Sequence, residues 1–119
     1  MDDKFTLTKG DITKEVFMSY GLLDRLCRVA GDLEGGALMA IDNDVRAQML
    51  IELLSERDEK GEILNGGVSP FQIPFTIPQL ADLLSWAQEH VFDFFVKAAQ
   101  TTRQKVDLHK AVITGLKVT

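Results

Sequence analysis

The sequence predicts a mainly α, small single-domain helical fold with a long C-terminal helix, and three observations carry that prediction. Apolar residues recur at helical spacing over positions 22–30, 45–54 and 80–98. Each stretch follows a residue suited to cap a helix, namely Ser19, Asp42 and Thr76. The chain has 119 residues, 45% of them hydrophobic, which is enough for one core without disulfides. The domain is expected over residues 1–105, with a flexible tail over 106–119.

Taken in order, Phe5 and Leu7 alternate with Thr6 and Thr8, and Lys9-Gly10-Asp11 is a turn signal before residues 12–18. That pattern fits a short N-terminal β-hairpin, although its second arm could equally begin a helix. Behind Ser19, the residues Leu22, Leu23, Leu26, Cys27 and Ala30 form a helical face that Gly31 is placed to end. Asp24 and Arg28 stand four apart on its wet side. Gly35-Gly36 suits neither regular structure, so residues 32–36 are expected to be a loop. Asp42 to Asp44 then open a second helix with the apolar face Val45, Met49, Leu50, Leu53 and Leu54. The mixed charges of residues 55–61 read as its solvated end.

Residues 61–76 combine breakers, Gly66-Gly67, Pro70 and Pro74, with the apolar Val68, Phe71, Ile73 and Phe75. Those side chains either plug the edge of the core or form an arm that docks on a partner. Thr76-Ile77-Pro78-Gln79 matches a capping box with proline in the first turn. From there a helix is expected to about Lys105, with Leu80, Leu83, Leu84, Ala87, Val91, Phe94, Phe95 and Ala98 as one continuous core stripe.

Composition excludes several classes of function. Acidic residues exceed basic ones by 18 to 13, for a formal charge of -5. The densest basic run, Arg103 to Lys110, is interrupted by Asp107 and has no aromatic neighbours, so no nucleic-acid partner is expected. No run approaches the roughly 20 apolar residues of a membrane span, and Met1-Asp2-Asp3-Lys4 is unlike a secretory leader. The single cysteine, Cys27, lies in a helical apolar face and reads as a buried small hydrophobe. Nucleophile elbows and phosphate-binding glycine loops are missing, and no carboxylate is expected in an apolar setting, so the chain is read as no enzyme. Glu89, His90 and Asp93 fall short of a helical zinc site, and the other histidine, His109, is in the tail. No metal and no cofactor is expected.

What remains is surface for binding proteins. Phe92, Val96 and Ala99 form a second apolar flank on the long helix beside Phe95, more than a 13 kDa core requires. Either the earlier helices wrap it or another chain does. On the other side stand Trp86, His90, Asp93 and Lys97, read either as a partner-binding strip or as a core edge closed by Trp86. With the connector, the candidate protein-binding residues are Phe71, Ile73, Phe75, Trp86, His90, Phe92, Phe95 and Val96.

The chain also resembles the tail assembly chaperones of long-tailed (siphophage, lambdoid) bacteriophages. Phe5-Thr6-Leu7, Val16-Phe17-Met18-Ser19 and Leu22-Leu23-Asp24-Arg25-Leu26 resemble the opening of that family. Residues 53–61 resemble its mid-chain helix end, and the run from Leu83 to Phe95 is the most specific part. The resemblance implies a helical, self-associating protein that coats the tape measure protein, recruits tail tube subunits, and stays in the bacterial cytoplasm rather than in the mature virion. It also implies a second, longer product made by ribosomal slippage, for which Thr114-Gly115-Leu116-Lys117 is compatible. The competing expectation is a phage adaptor or completion protein retained in the particle.

Overall fold

In the computed structural model, the backbone is described for residues 1–118 and the side chains for residues 1–103. Strands β1 (Lys4–Lys9) and β2 (Ile12–Phe17) pair antiparallel, with Lys9 opposite Ile12 and Phe5 opposite Val16. A two-residue loop with φ of 60° at Gly10 alone, and not at Asp11, is the II′ arrangement that matches strand twist. This settles the alternative left open for residues 12–18: they form the second strand. The inward face carries Leu7 and Val16, both buried, while the threonines face out.

Helix α1 (Tyr20–Ala30) starts where Ser19 accepts from the Leu22 N–H and stops where Gly31 turns to φ 81°. The Asp24–Arg28 pair forms at 3.0 Å on its exposed side. The expected loop at 32–36 is instead a short helix, α2 (Leu33–Ala37). Asp32 accepts from the Gly35 N–H at 2.8 Å, and the two glycines permit close approach rather than breaking structure. A Cβ on Gly35 would sit 1.7 Å from the Ala30 carbonyl oxygen, and one on Gly36 would crowd Phe92 and Val91.

Helix α3 (Asn43–Leu54) is capped by Asp42, whose carboxylate accepts from the Asp44 and Val45 N–H groups. After a single 3₁₀ turn at Pro70–Gln72, helix α4 (Ile77–Val118) runs to the end of the described backbone. Its capping box forms as spaced: Gln79 accepts from the Thr76 N–H at 2.9 Å, and Thr76 Oγ1 accepts from the Gln79 N–H. The flexibility expected of residues 106–119 lies outside the described side chains.

The core centres on Leu26, Met39, Met49, Leu83, Ala87 and Val91, all sealed from solvent. Leu83, Ala87 and Val91 recur every four residues, so one face of α4 runs through the middle of the core. Strand β1 runs antiparallel to this helix and is tied at both ends. Gln79 Nε2 donates to the Thr8 carbonyl at 2.8 Å, while the Asp2 carbonyl accepts from Trp86 and His90.

Two expectations about the core change. Phe94 and Ala98, placed in the core stripe by periodicity, are exposed, because Leu33 and its neighbours approach α4 on the side of Phe95 and Val96 and leave these two uncovered. Residues 55–61 are not a solvated helix end. The helix stops at Leu54, and Ser55 is buried with its hydroxyl accepting from the Val68 N–H at 3.0 Å. Glu52, within the apolar run Met49 to Leu54, is buried and pairs with Arg57. Arg57 also donates to the carbonyls of Glu52 and Gly61, which folds the segment back on α3.

Candidate functional site

The eight candidate residues divide by what the fold does with them. Trp86 and His90 point into the interface with the N-terminal segment, at 7% and 8% exposure. Trp86 Nε1–H donates to the Asp2 carbonyl at 2.8 Å, and His90 Nε2 lies 2.8 Å from the same oxygen. A carbonyl only accepts, so His90 carries its proton on Nε2. The rings meet edge to face at 5.0 Å, and Phe5 packs tilted against the indole at 5.6 Å. Of the two readings of this strip, the geometry matches the closed core edge. Asp93 and Lys97, further along, pair with each other at 3.0 Å in solvent.

The connector is split in the same way. Phe75 is buried and Ile73 half-buried, both packed against the core, whereas Phe71 on the 3₁₀ turn is 100% exposed. A fully solvated phenyl ring contributes nothing to this fold.

On the long helix, Phe92 is half-buried against Gly36 of α2. Beyond it, Phe95 and Val96 come together with Leu33 and Ala99 around a groove of about 580 Å³, edged by Asp32 and Arg103. Phe94 packs edge-on to Phe95 at 5.7 Å and is itself 40% exposed. This flank is the largest convergence of the predicted residues.

A second apolar groove was not foreseen. It lies between α3 and the first turns of α4, has a volume of about 510 Å³, and is lined by Ala40, Arg46, Leu50, Ile77, Leu80 and Leu84 among others. Ile77 at its rim is 83% exposed, and Ile41 next to Ala40 is 74% exposed. The available signal was Ile77 itself, an apolar residue at the first helical position, three and seven residues before Leu80 and Leu84 on the same face.

The polar clusters offer less for chemistry. The Glu52–Arg57 pair faces a cleft of about 390 Å³, but Glu52 also accepts from Gln48, and Arg57 is held by two carbonyls, so both charges are engaged in holding the 55–68 segment. Burial, and secondarily the Asp24 charge, pushes the Cys27 thiol from 9.0 up to about 11, which keeps it protonated and a poor nucleophile at neutral pH. Among the described residues, no group of three or more His, Cys, Asp or Glu converges as a metal site, and no helix is long and apolar enough to cross a membrane.

Fold and surface together define a helical domain, with an N-terminal hairpin, that leaves apolar surface at the first turns of its longest helix and again around residues 94–99. Comparison with protein-family models, curated proteins and solved structures gives no match.

Proposed function

We propose that the chain is a non-enzymatic assembly protein, and specifically a bacteriophage tail assembly chaperone that self-associates, coats the tape measure protein and recruits tail tube subunits. The observation that carries the reading is the stretch of α4 just past Val91, where Phe94 and Val96 are exposed beside the groove at Phe95. A contiguous apolar surface of this kind marks a site for another protein. Phe71, fully exposed on the 3₁₀ turn, supplies a second apolar contact. The phage assignment is supported by the sequence likeness of residues 83–95 to that family. In this reading the protein acts in the host cytoplasm and is displaced before the virion is complete.

Co-expression with a tape measure protein tests the proposal. The tape measure protein is expected to stay soluble and co-purify with the wild type, and to precipitate with a Val96→Asp, Phe71→Ser double variant. Equal solubility with and without the chain would sink the chaperone reading. Finding the chain in purified virions would replace it with the adaptor.

A further inference from the structure

We infer that the outer edge of β2 is a docking strip for an extended peptide segment of a partner protein, which adds to the hairpin as a third strand. This goes beyond the capture surface on α4 and does not depend on the phage assignment.

The strand register decides which backbone groups are free. Facing residues in an antiparallel ladder alternate between pairs that exchange hydrogen bonds and pairs that do not. The Met18 N–H donates to the Asp3 carbonyl at 2.7 Å, one step beyond the facing pair Lys4 and Phe17. By alternation from there, Val16, Lys14 and Ile12 turn their backbone groups towards β1, and Thr13, Glu15 and Phe17 turn theirs away. The two outer edges then differ. On the β1 side α4 covers the edge, with the Asp2 carbonyl taken by Trp86 and His90 and the Thr8 carbonyl by Gln79. On the β2 side the Phe17 carbonyl accepts from the Ser19 N–H at 2.9 Å. Among the described residues, nothing bonds to the N–H and C=O groups of Thr13 and Glu15 or to the Phe17 N–H. Such a row of donors and acceptors is a template for another strand.

The space beside that row is a trough. Ile12, Thr13 and Lys14 line one cavity of about 250 Å³, and Lys14, Glu15, Val16 and Phe17 line the next, of about 390 Å³. Consecutive residues of a strand point to opposite faces, so cavities lined by both sets lie at the strand's edge. Glu56 lines both from the far side, where the chain leaves α3. That wall selects the occupant. A single extended chain fits between β2 and residues 53–57, whereas the edge of a second folded copy would bring the rest of its sheet with it.

The trough also specifies side chains. Around Ile12, which is 50% exposed, the first cavity is apolar, with Leu54, Val68, Ile73 and Phe75. The second adds Phe17, Leu22, Leu53 and Leu64, and Lys14 and Glu56, common to the two cavities, set charge between them. The segment that fits carries apolar residues at i and i+4 of one face and a polar residue at i+2.

Amide hydrogen exchange followed by NMR on the full chain tests this, with and without the lysine-flanked peptide Thr-Val-Thr-Ser-Thr-Val-Thr. In the free chain the Thr13, Glu15 and Phe17 amides are expected to exchange freely while those of Lys14 and Val16 are protected. The peptide at about 1 mM should slow exchange at the first set about tenfold and leave α4 unchanged. Methylating the peptide's backbone nitrogens at alternate residues should abolish binding in one phase and spare it in the other, because only one set of N–H groups faces β2. Glu15→Pro removes an outward N–H without breaking the hairpin ladder and should weaken binding about tenfold, while Glu15→Ala, which keeps that N–H, should bind like the wild type. The methylation series uses the wild-type chain, so it decides the matter even where Glu15→Pro unfolds the hairpin. Exchange at Thr13, Glu15 and Phe17 unchanged by the peptide, or binding indifferent to both methylation patterns, would overturn the inference and leave the α4 reading standing. Protection of the same amides that rises with chain concentration and without peptide would assign the edge to a second copy and likewise overturn it.

Discussion

Along α4, Leu83, Ala87 and Val91 are wholly sealed, yet three residues beyond Val91 the phenyl ring of Phe94 is 40% exposed, and Val96 is 45% exposed. Both halves are apolar, both are helical, and the spacing of their side chains is the same. They differ in their neighbours. The stretch up to Val91 is ringed by the hairpin, α1, α2 and α3, whereas past Phe92 residues 31–33 line one side of a groove that stays open. Apolar periodicity therefore reports that a face will be buried, but not by which chain. The first stretch supplies stability, and the second leaves Phe94 and Val96 uncovered.

Substitutions on the two halves should part accordingly. The largest effect is expected from Leu83→Ala, which removes a sealed side chain and leaves a cavity, a loss of about 3 kcal/mol in urea unfolding. Glu52→Ala comes next. It strands Arg57 without its carboxylate and loosens residues 55–68, for about 2 kcal/mol, less than a fully buried pair because Arg57 retains 19% exposure. Trp86→Phe keeps the ring but loses the donor to the Asp2 carbonyl, for about 1 kcal/mol, with faster hydrogen exchange at the N-terminal strand as the local signature. Val96→Ser should change stability by less than about 0.5 kcal/mol yet weaken capture of an apolar partner. A loss of stability there comparable to Leu83→Ala would show that the second half is core after all.

The smallest effect at neutral pH belongs to Cys27. Its thiol is raised from 9.0 to about 11 in the folded chain, so the protonated form is the one the fold favours. The corresponding stability is fully present below pH 9 and fades as pH rises from 9 towards 11. A Cys27→Ala variant should lose this alkaline component of the unfolding profile, and native Cys27 should react with a thiol reagent at pH 8 about a hundredfold more slowly than the unfolded chain. Equal rates in the two states would place the thiol at the surface.

Much of the fold was legible because it depends on neighbours in sequence. The caps at Ser19, Asp42 and Thr76 each bond to a group within three residues, and the turn at Gly10 needs only a residue tolerant of positive φ. Gly35-Gly36 misled for the opposite reason. Glycine weakens a helix locally, and what it permits here is contact with Ala30 and Phe92, one five and the other 56 residues away. The pairing of Glu52 with Arg57 also escaped a reading that treated residues 55–61 as solvated, although an acid inside Met49–Leu54 was the available sign.

The candidate site was legible in kind but less so in place. Trp86 and His90 were singled out as an aromatic and imidazole strip, and only the fold shows that the Asp2 carbonyl, more than 80 positions away, occupies them. Phe71, Ile73 and Phe75 share one apolar connector, yet the 3₁₀ turn at Pro70 projects the first and buries the last. By itself the sequence determined the helical class, the caps, the hairpin turn and the acidic balance of charge, because each follows from local backbone chemistry or from residue identity. The tertiary structure alone decided which apolar faces are already covered, since burial depends on contacts between residues far apart in the chain.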